Sequence, residues 1–322
     1  MEGYEYNGTS SIGVTLFRGE NDAADDLLKR TDLAMYRAKA KGRNKMCFFD
    51  PAMETSAASR AALLADLKKA LQNREFELHY QPQMDSGGRV IGAEALLRWR
   101  HAQRGLVPPS EFILLAETSG LIVELGLWVL EEACSQLAVW AGQPATEGLI
   151  LAVNVSLRQF LDSRFVHRVE KVLRESGANP HRLKLEITES FIMEKANDAI
   201  AKMAILKSYG ISFSMDDFGT GYSSLSQLRL LPLDQLKIDQ SFVRDVLDCA
   251  KNAAIVSTII ALGRSLNLSV IAEGVETEGQ RGFLEEQGCH LYQGYLFSAA
   301  LPASHFEEFV SKARRLNELG AS

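Results

Sequence analysis

Between residues 76 and 292 the chain alternates short apolar runs with longer amphipathic segments, and carboxylates fall repeatedly inside those runs or just past them. The runs are 76–81, 90–97, 149–155, 183–187, 211–215, 235–238, 269–272 and 289–292. Their length and spacing predict strands joined by helices, the signature of an α/β fold built on a parallel sheet. Eight such units favour a closed barrel, although an open doubly wound sheet shows the same alternation and periodicity does not separate the two.

In either architecture the acids are informative. Glu94 lies inside the second run, Asn154 near the end of the third and Glu186 near the end of the fourth. Asp216 and Asp217 follow the fifth, Asp239 the sixth, and Glu273 and Glu276 stand at and just beyond the seventh. The carboxyl ends of parallel strands converge on one mouth, so these groups should crowd together. Taken singly, each reads most simply as a helix cap or a solvated carboxylate. Taken together they are costly beside buried strands unless a cation compensates them. Oxygen donors without His or Cys favour hard ions, Mg²⁺ or Mn²⁺, and the adjacent Asp216 and Asp217 could bridge two of them. Two such ions about 4 Å apart would suit an in-line phosphoryl displacement. Lys237 lies two residues before Asp239, on the same side of an alternating strand. It could orient a water among these acids or simply pair with one of them.

Other chemistries find no support. Asp217-Phe218-Gly219 suggests a kinase, but a glycine-rich phosphate loop and an HRD loop are missing. The histidines lack HExxH spacing, no serine sits in a GxSxG elbow and no cysteine carries a nucleophile signature. The stretch 216–225, DDFGTGYSSL, reads as a flexible loop that could close over a site, with Ser223 or Ser224 as cap of the next helix. The four cysteines are scattered, as expected of free thiols in a reducing cytoplasm. A net charge of -6 has the wrong sign for gripping long nucleic acid, whereas a small phosphorylated ligand is compatible if metal supplies positive charge. No apolar run approaches the roughly 20 residues of a membrane span, so no membrane contact is expected here. Any anchor of a longer protein would lie in segments outside this sequence.

The residues are also similar to a known family. Glu94 in EALLRW, Asn154 in NVS, Glu186 and Glu189 in LEITES, DDFGTGYSSL, Lys237 in KID, Glu273 and Glu276 in AEGVET and Gln293 in QGYLFS together resemble the EAL-domain phosphodiesterases, in that family's order over about residues 60–315. The resemblance implies a TIM-like (β/α)8 barrel with one antiparallel strand, hydrolysing cyclic di-GMP to linear pGpG with Mg²⁺ or Mn²⁺, two ions per site. By motif, Glu94, Asn154, Glu186 and Asp216 resemble ligands of a first metal, and Asp216 and Asp217 ligands of a second. Glu273 resembles either a general base or a second-metal ligand. Lys237 resembles the holder of the nucleophilic water, and Glu189 the anchor of the loop after the fifth strand. Gln81 and Arg98 resemble substrate contacts, and Glu276 and Gln293 complete the substrate site. A homodimer through the loop after the fifth strand is also implied. Two departures stand out: His101 is followed by Ala102 where the family has proline, and the family's FS(R/K)PLP reads FSAALP at 297–302, losing a proline of the guanine pocket. The second is expected to weaken substrate affinity and to spare the metal ligands.

Residues 9–50 alternate as β-α-β, with Asn21 as the expected helix cap, and resemble the C-terminal end of a GGDEF diguanylate cyclase domain whose signature motif is absent. Some 50 residues of this kind bury too little apolar surface to fold reliably alone. The resemblance thus implies a truncated copy or piece of a larger protein, unable to make the dinucleotide. The expected organisation is 1–52 as this remnant, 53–72 as linker and first barrel helix, and 73–322 as the phosphodiesterase domain. Two rivals to the hydrolase are a receptor that holds cyclic di-GMP without cleaving it and a Mg²⁺-dependent barrel isomerase or lyase. For the hydrolase, Glu94→Ala and Lys237→Ala are each expected to remove turnover and leave the fold intact.

Overall fold

The computed structural model describes residues 10–17, 23–40, 44–50, 52–189, 192–220 and 228–320, and the chain divides into two compact units, 1–69 and 70–322. In the first unit, strands β1 (Ile12–Val14) and β2 (Met46–Phe48) pair in parallel and are connected through helix α1 (Ala24–Ala40). Gly13 is required there, because a Cβ would sit 2.2 Å from the Thr31 carbonyl oxygen of α1. The β-α-β reading therefore holds, while its expected cap, Asn21, lies outside the described residues. Helix α2 (Ala52–Asn73) comes next in the chain and is longer than the leucine spacing alone suggested.

The second unit is a closed barrel. Its strands are β3 (Phe76–Asp85), β4 (Val90–His101), β6 (Ile150–Asn154), β7 (Leu183–Thr188), β8 (Ser212–Phe218), β9 (Gln235–Ile238), β10 (Ser269–Ala272) and β11 (Leu291–Gln293). From β4 through β11 neighbouring strands are parallel, while β3 runs antiparallel to both β4 and β11 and closes the ring. Closure by β3 excludes the open doubly wound sheet and bears out the barrel with one antiparallel strand. All eight apolar runs contain or overlap a barrel strand. The main difference is β4, which extends to His101 and pairs there with β5 (Gly105–Val107). Its extra length is held by aromatic packing: Phe76 and Trp99 lie 5.7 Å apart, and Trp99 meets Phe112 edge-on at 5.5 Å.

Helices cover the ring: α3 (Pro109–Ser119), α4 (Ile122–Ala141), α5 (Leu157–Leu161), α6 (Phe165–Ser176), α7 (Ile192–Ser208), α8 (Gln240–Arg244), α9 (Ala250–Ser265) and α10 (Glu278–Glu286). After β12 (Leu301–Pro302), helix α11 (Ala303–Gly320) packs back on the barrel, where Phe306 stacks on Trp140 at 5.1 Å and Glu307 accepts the indole N–H at 3.0 Å. The outward-facing strand residues, such as Leu151, Val153, Leu185, Ile187, Phe213 and Met215, are fully buried under this layer. The inward faces are unusually polar, since Gln83, Lys184, Ser214 and Gln235 are all buried. Lys184 Nζ donates to Gln235 Oε1 at 2.8 Å, which offsets part of the cost of burying both. Among the described residues no helix is long and apolar enough to cross a membrane.

Candidate active site

Period-two alternation on five adjacent strands brings the predicted acids together above this polar floor. Lys237, fully buried on β9, is the centre: its ammonium lies 2.6 Å from Glu186 on β7, 2.5 Å from Glu273 after β10, 3.1 Å from Asp216 on β8 and 3.5 Å from Glu94 on β4. Asn154, at the end of β6, donates to Glu94 Oε1 at 2.6 Å, and Gln293 of β11 donates to Glu94 Oε2 at 2.5 Å. Gln293 also donates to Gln81 of β3 at 3.1 Å. All eight barrel strands thus contribute a group, β10 through Glu273 just past its end, and the seven parallel ones do so as the carboxyl-end argument requires.

Asp217 needs a special device. Neighbouring strand residues point to opposite faces, so Asp216 and Asp217 should not share one. A register shift between Met215 and Phe218 breaks the β8–β9 ladder, and Asp217 takes a left-handed backbone with φ 54. As a result carboxylate oxygens of Asp216, Asp217 and Glu273 come within 4.8 Å of one another. Non-glycine residues adopt this conformation at a cost, typically at functional positions.

The electrostatics follow from crowding and burial. Burial opposes charge on Lys237, yet the carboxylates of Glu186, Glu273, Glu94 and Asp216 hold its proton well above the ordinary lysine range. Burial, reinforced by Glu94, Asp216 and Glu273 and only partly countered by Lys237, pushes the Glu186 carboxyl well above its usual value. Burial likewise raises Glu273 to about 8, with Lys237 opposing, and raises Asp217 to about 6, helped by Asp216 and Asp239. Glu94 goes the other way: burial works against its charge, but Lys237 and the donors Gln293 and Asn154 outweigh it. One lysine therefore does not neutralise this pocket. Glu186 Oε1, moreover, is buried without a hydrogen-bond partner. An orphaned acid oxygen beside a cluster of oxygen donors, with no His or Cys among them, is what a site for a hard divalent cation would present.

The remaining candidates are placed as follows. Glu189 accepts the Gly219 N–H at 3.1 Å and so ties the end of β7 to the segment leaving β8. Gln81, Glu94, Asp216, Glu273, Glu276 and Gln293 line a cavity of about 200 Å³ at the mouth. The Glu276 backbone is fixed by a capping box, in which Gln280 accepts its N–H at 2.8 Å and Thr277 caps α10. Arg98 donates to the Leu97 carbonyl and lines a neighbouring cavity of about 340 Å³ together with Leu96, Asn154, Asp216 and Asp217. Asp239 caps α8 by accepting the Ser241 N–H at 3.0 Å and also stands against the Asp217 carboxyl, which it helps to raise. Ser223 and Ser224 lie outside the described residues. Sequence reasoning missed Gln83, although alternation from Gln81 places it on the same inward face.

Comparison with known proteins agrees with this geometry. Across 301 residues the chain is 44% identical to the bifunctional diguanylate cyclase/cyclic di-GMP phosphodiesterase MucR of Pseudomonas aeruginosa, covering 93% of this chain and 44% of that protein. It is 39% identical over 302 residues to the cyclic di-GMP phosphodiesterase PdeR of Escherichia coli, covering 94% of this chain and 45% of that one. The chain thus spans less than half the length of these curated relatives. Among solved structures, the PaMucR phosphodiesterase in its c-di-GMP complex superposes with a TM-score of 0.74 at 46% identity, over 76% of this chain and 99% of that one. Residues 64–300 match the EAL domain model, and with the barrel and the acid-lined mouth described above the chain belongs to the EAL domain family.

Proposed function

We propose that this chain hydrolyses one phosphodiester of cyclic di-GMP to give linear pGpG, using two divalent cations, Mg²⁺ or Mn²⁺, at the barrel mouth. The observation that carries this is the pocket of Glu94, Glu186, Asp216 and Glu273 around one buried lysine, with a Glu186 oxygen left unpaired. The cations would neutralise these acids, lower the pKa of a bound water and stabilise charge on the phosphoryl oxygens. Glu94, Asn154, Glu186 and Asp216 would hold one, and Asp216 and Asp217 the other. The proximity of Glu273 to that Asp pair supports counting it with the second site rather than as a separate base.

Lys237 is reserved for the attacking water. Its contacts with four acids hold it at the centre of the mouth, and acids drawn onto cations would leave its N–H groups free to orient that water. Glu189, through the Gly219 N–H, holds the backbone that follows Asp217. Gln81 would contact substrate beside Glu276 and Gln293, and Arg98 from the adjoining cavity. Replacement of the usual basic-Pro pair by Ala299 and Ala300 leaves one contact in place, since Gln81 donates to the backbone carbonyl of Ser298 at 3.2 Å. The segment 1–52 is read as the end of a cyclase-type domain, and pairing of two copies through the loop after β8 is read from family likeness, residues 221–227 lying outside those described.

Incubation with cyclic di-GMP and Mg²⁺, followed by chromatography for pGpG, tests the proposal. Product formation is expected. Binding without product would replace the hydrolase by a receptor, and neither binding nor product would remove both.

A linked prediction concerns pH. Carboxyls raised to about 6 at Asp217 and about 8 at Glu273 bind more protons in the folded chain than in the unfolded one. Between the unfolded and folded values, metal-free stability therefore falls as pH rises. Cations must displace those protons, and binding strengthens up to tenfold per pH unit for each proton released. The Mg²⁺-induced rise in Tm is accordingly expected to grow from about pH 6 to about pH 8. A pH-independent rise would show that these carboxyls are not ligands.

A further inference from the structure

Below the mouth lies a directional chain of amides that starts at Gln83 of the polar floor. Gln83, 1% exposed on β3, donates from Nε2 to Gln293 Oε1 at 3.0 Å. Gln293 donates in turn to Glu94 Oε2 at 2.5 Å and to Gln81 Oε1 at 3.1 Å, and Gln81 donates to the Ser298 carbonyl at 3.2 Å. Each step has one polarity. An ionised Glu94 can only accept, so Gln293 must turn its NH₂ toward it, which leaves the Gln293 oxygen facing a donor. Within hydrogen-bond distance that donor is Gln83.

The backbone around Gln83 is shaped for this contact. Gln83 is paired with Gln293 on one side and with Gly92 on the other, and a register shift follows immediately at Met84. A side chain at Gly92 could not be accommodated, because a Cβ would stand 2.5 Å from the Ile150 carbonyl oxygen and 3.4 Å from Gln83 Oε1.

We propose that Gln83 is a positioning residue that fixes the amide orientation of Gln293 and, through it, aims the Glu94 carboxylate at its cation and Gln81 at the substrate. Without the Gln83 donor, the Gln293 oxygen is left buried without its partner and the amide is held from the NH₂ side alone, by Glu94 and Gln81, so its orientation and the aim of Glu94 are less firmly fixed. The inference rests on the metal-dependent reading above, and its test uses the metal alone as well as substrate.

Mn²⁺ binding to the whole chain is measured by the loss of the free-ion electron paramagnetic resonance signal, for Gln83→Met, Gln293→Met and the double variant, with Tm recorded for each. Partners behind metal ligands typically contribute roughly 10- to 100-fold in affinity. Gln83→Met is expected to weaken Mn²⁺ binding by about tenfold and to raise the KM for cyclic di-GMP. In the double variant the loss should be no greater than in Gln293→Met alone, because the two act as one unit. Losses that multiply, or a Gln83→Met variant that binds Mn²⁺ as the parent does, would overturn the assignment. Should Gln83→Met fail to fold, Gln83→Leu takes its place in the same cycle. Absence of cyclic di-GMP turnover in the parent would count against the proposed reaction and leave the Mn²⁺ comparison standing.

Discussion

Replacing Lys237 with methionine is expected to lower turnover by roughly 100- to 1,000-fold, the usual loss when a preorganised donor is removed from a reaction centre, and also to destabilise the metal-free protein severely. The ammonium is fully buried, with Glu186, Glu273, Asp216 and Glu94 all within 3.5 Å. Removing one partner from a buried ionic cluster costs about 3–5 kcal/mol, a large share of a typical 5–15 kcal/mol stability. The expectation drawn from sequence is that Lys237→Ala leaves the fold intact; burial of the ammonium adds that the fold would persist only with much of its stability lost. A lysine salt-bridged to one surface acid would be dispensable, whereas a buried one facing four acids, two of them buried with it, is not.

Two features of the deficit identify its cause. It should shrink as pH falls, because acids with no ammonium to face can take up protons instead. It should also shrink on adding Mn²⁺, which supplies the missing positive charge. Thermal melts across pH, with and without Mn²⁺, measure both. A Lys237→Met protein that melts like the parent in the absence of metal, or that turns over at near-normal rates, would show that the cluster is not organised around this residue.

The parts of the molecule visible from sequence are those governed by local periodicity. Eight apolar runs marked eight strands, and the position of Glu94, Glu186, Asp216 and Glu273 within or just past those runs placed them at one mouth, because parallel strands bring their carboxyl ends together. The polar floor was not visible. Gln83, Lys184, Ser214 and Gln235 become a layer only when strands are set side by side, and that depends on register, such as Ser214 opposite Gln235 and Gln83 opposite Gln293. Asp217 is a stronger case. Alternation alone would turn it away from Asp216, and the shift that brings it back is a backbone event that leaves no compositional trace. Arg98 was placed among the substrate contacts by motif, and the fold sets it in the adjoining cavity, whose lining also includes Asn154, Asp216 and Asp217.

Glu186→Gln is expected to separate stability from function in the opposite sense to Lys237→Met. Glu186 is 1% exposed, with one oxygen held by Lys237 at 2.6 Å and the other unpartnered. Burial and three neighbouring acids hold its carboxyl well above the ordinary range, so in the metal-free protein it is already biased toward the neutral form. Glutamine has nearly the shape of that neutral acid and can still accept from Lys237. The metal-free Tm near neutral pH should therefore change little, and at alkaline pH the variant should be the more stable protein, since it lacks an acid whose ionisation works against the fold. Function should respond differently, because an amide cannot carry the negative charge that a hard cation demands. Mn²⁺ affinity is expected to fall by roughly 100-fold or more, at least the upper range found when a partner behind a ligand is lost. Turnover and the Mn²⁺-induced rise in Tm should fall with it. If Glu186→Gln kept the parent's thermal response to Mn²⁺, the unpaired oxygen would not be a metal ligand, and the cations would have to be held without it, by Asp216, Asp217 and Glu273 with Glu94 and Asn154.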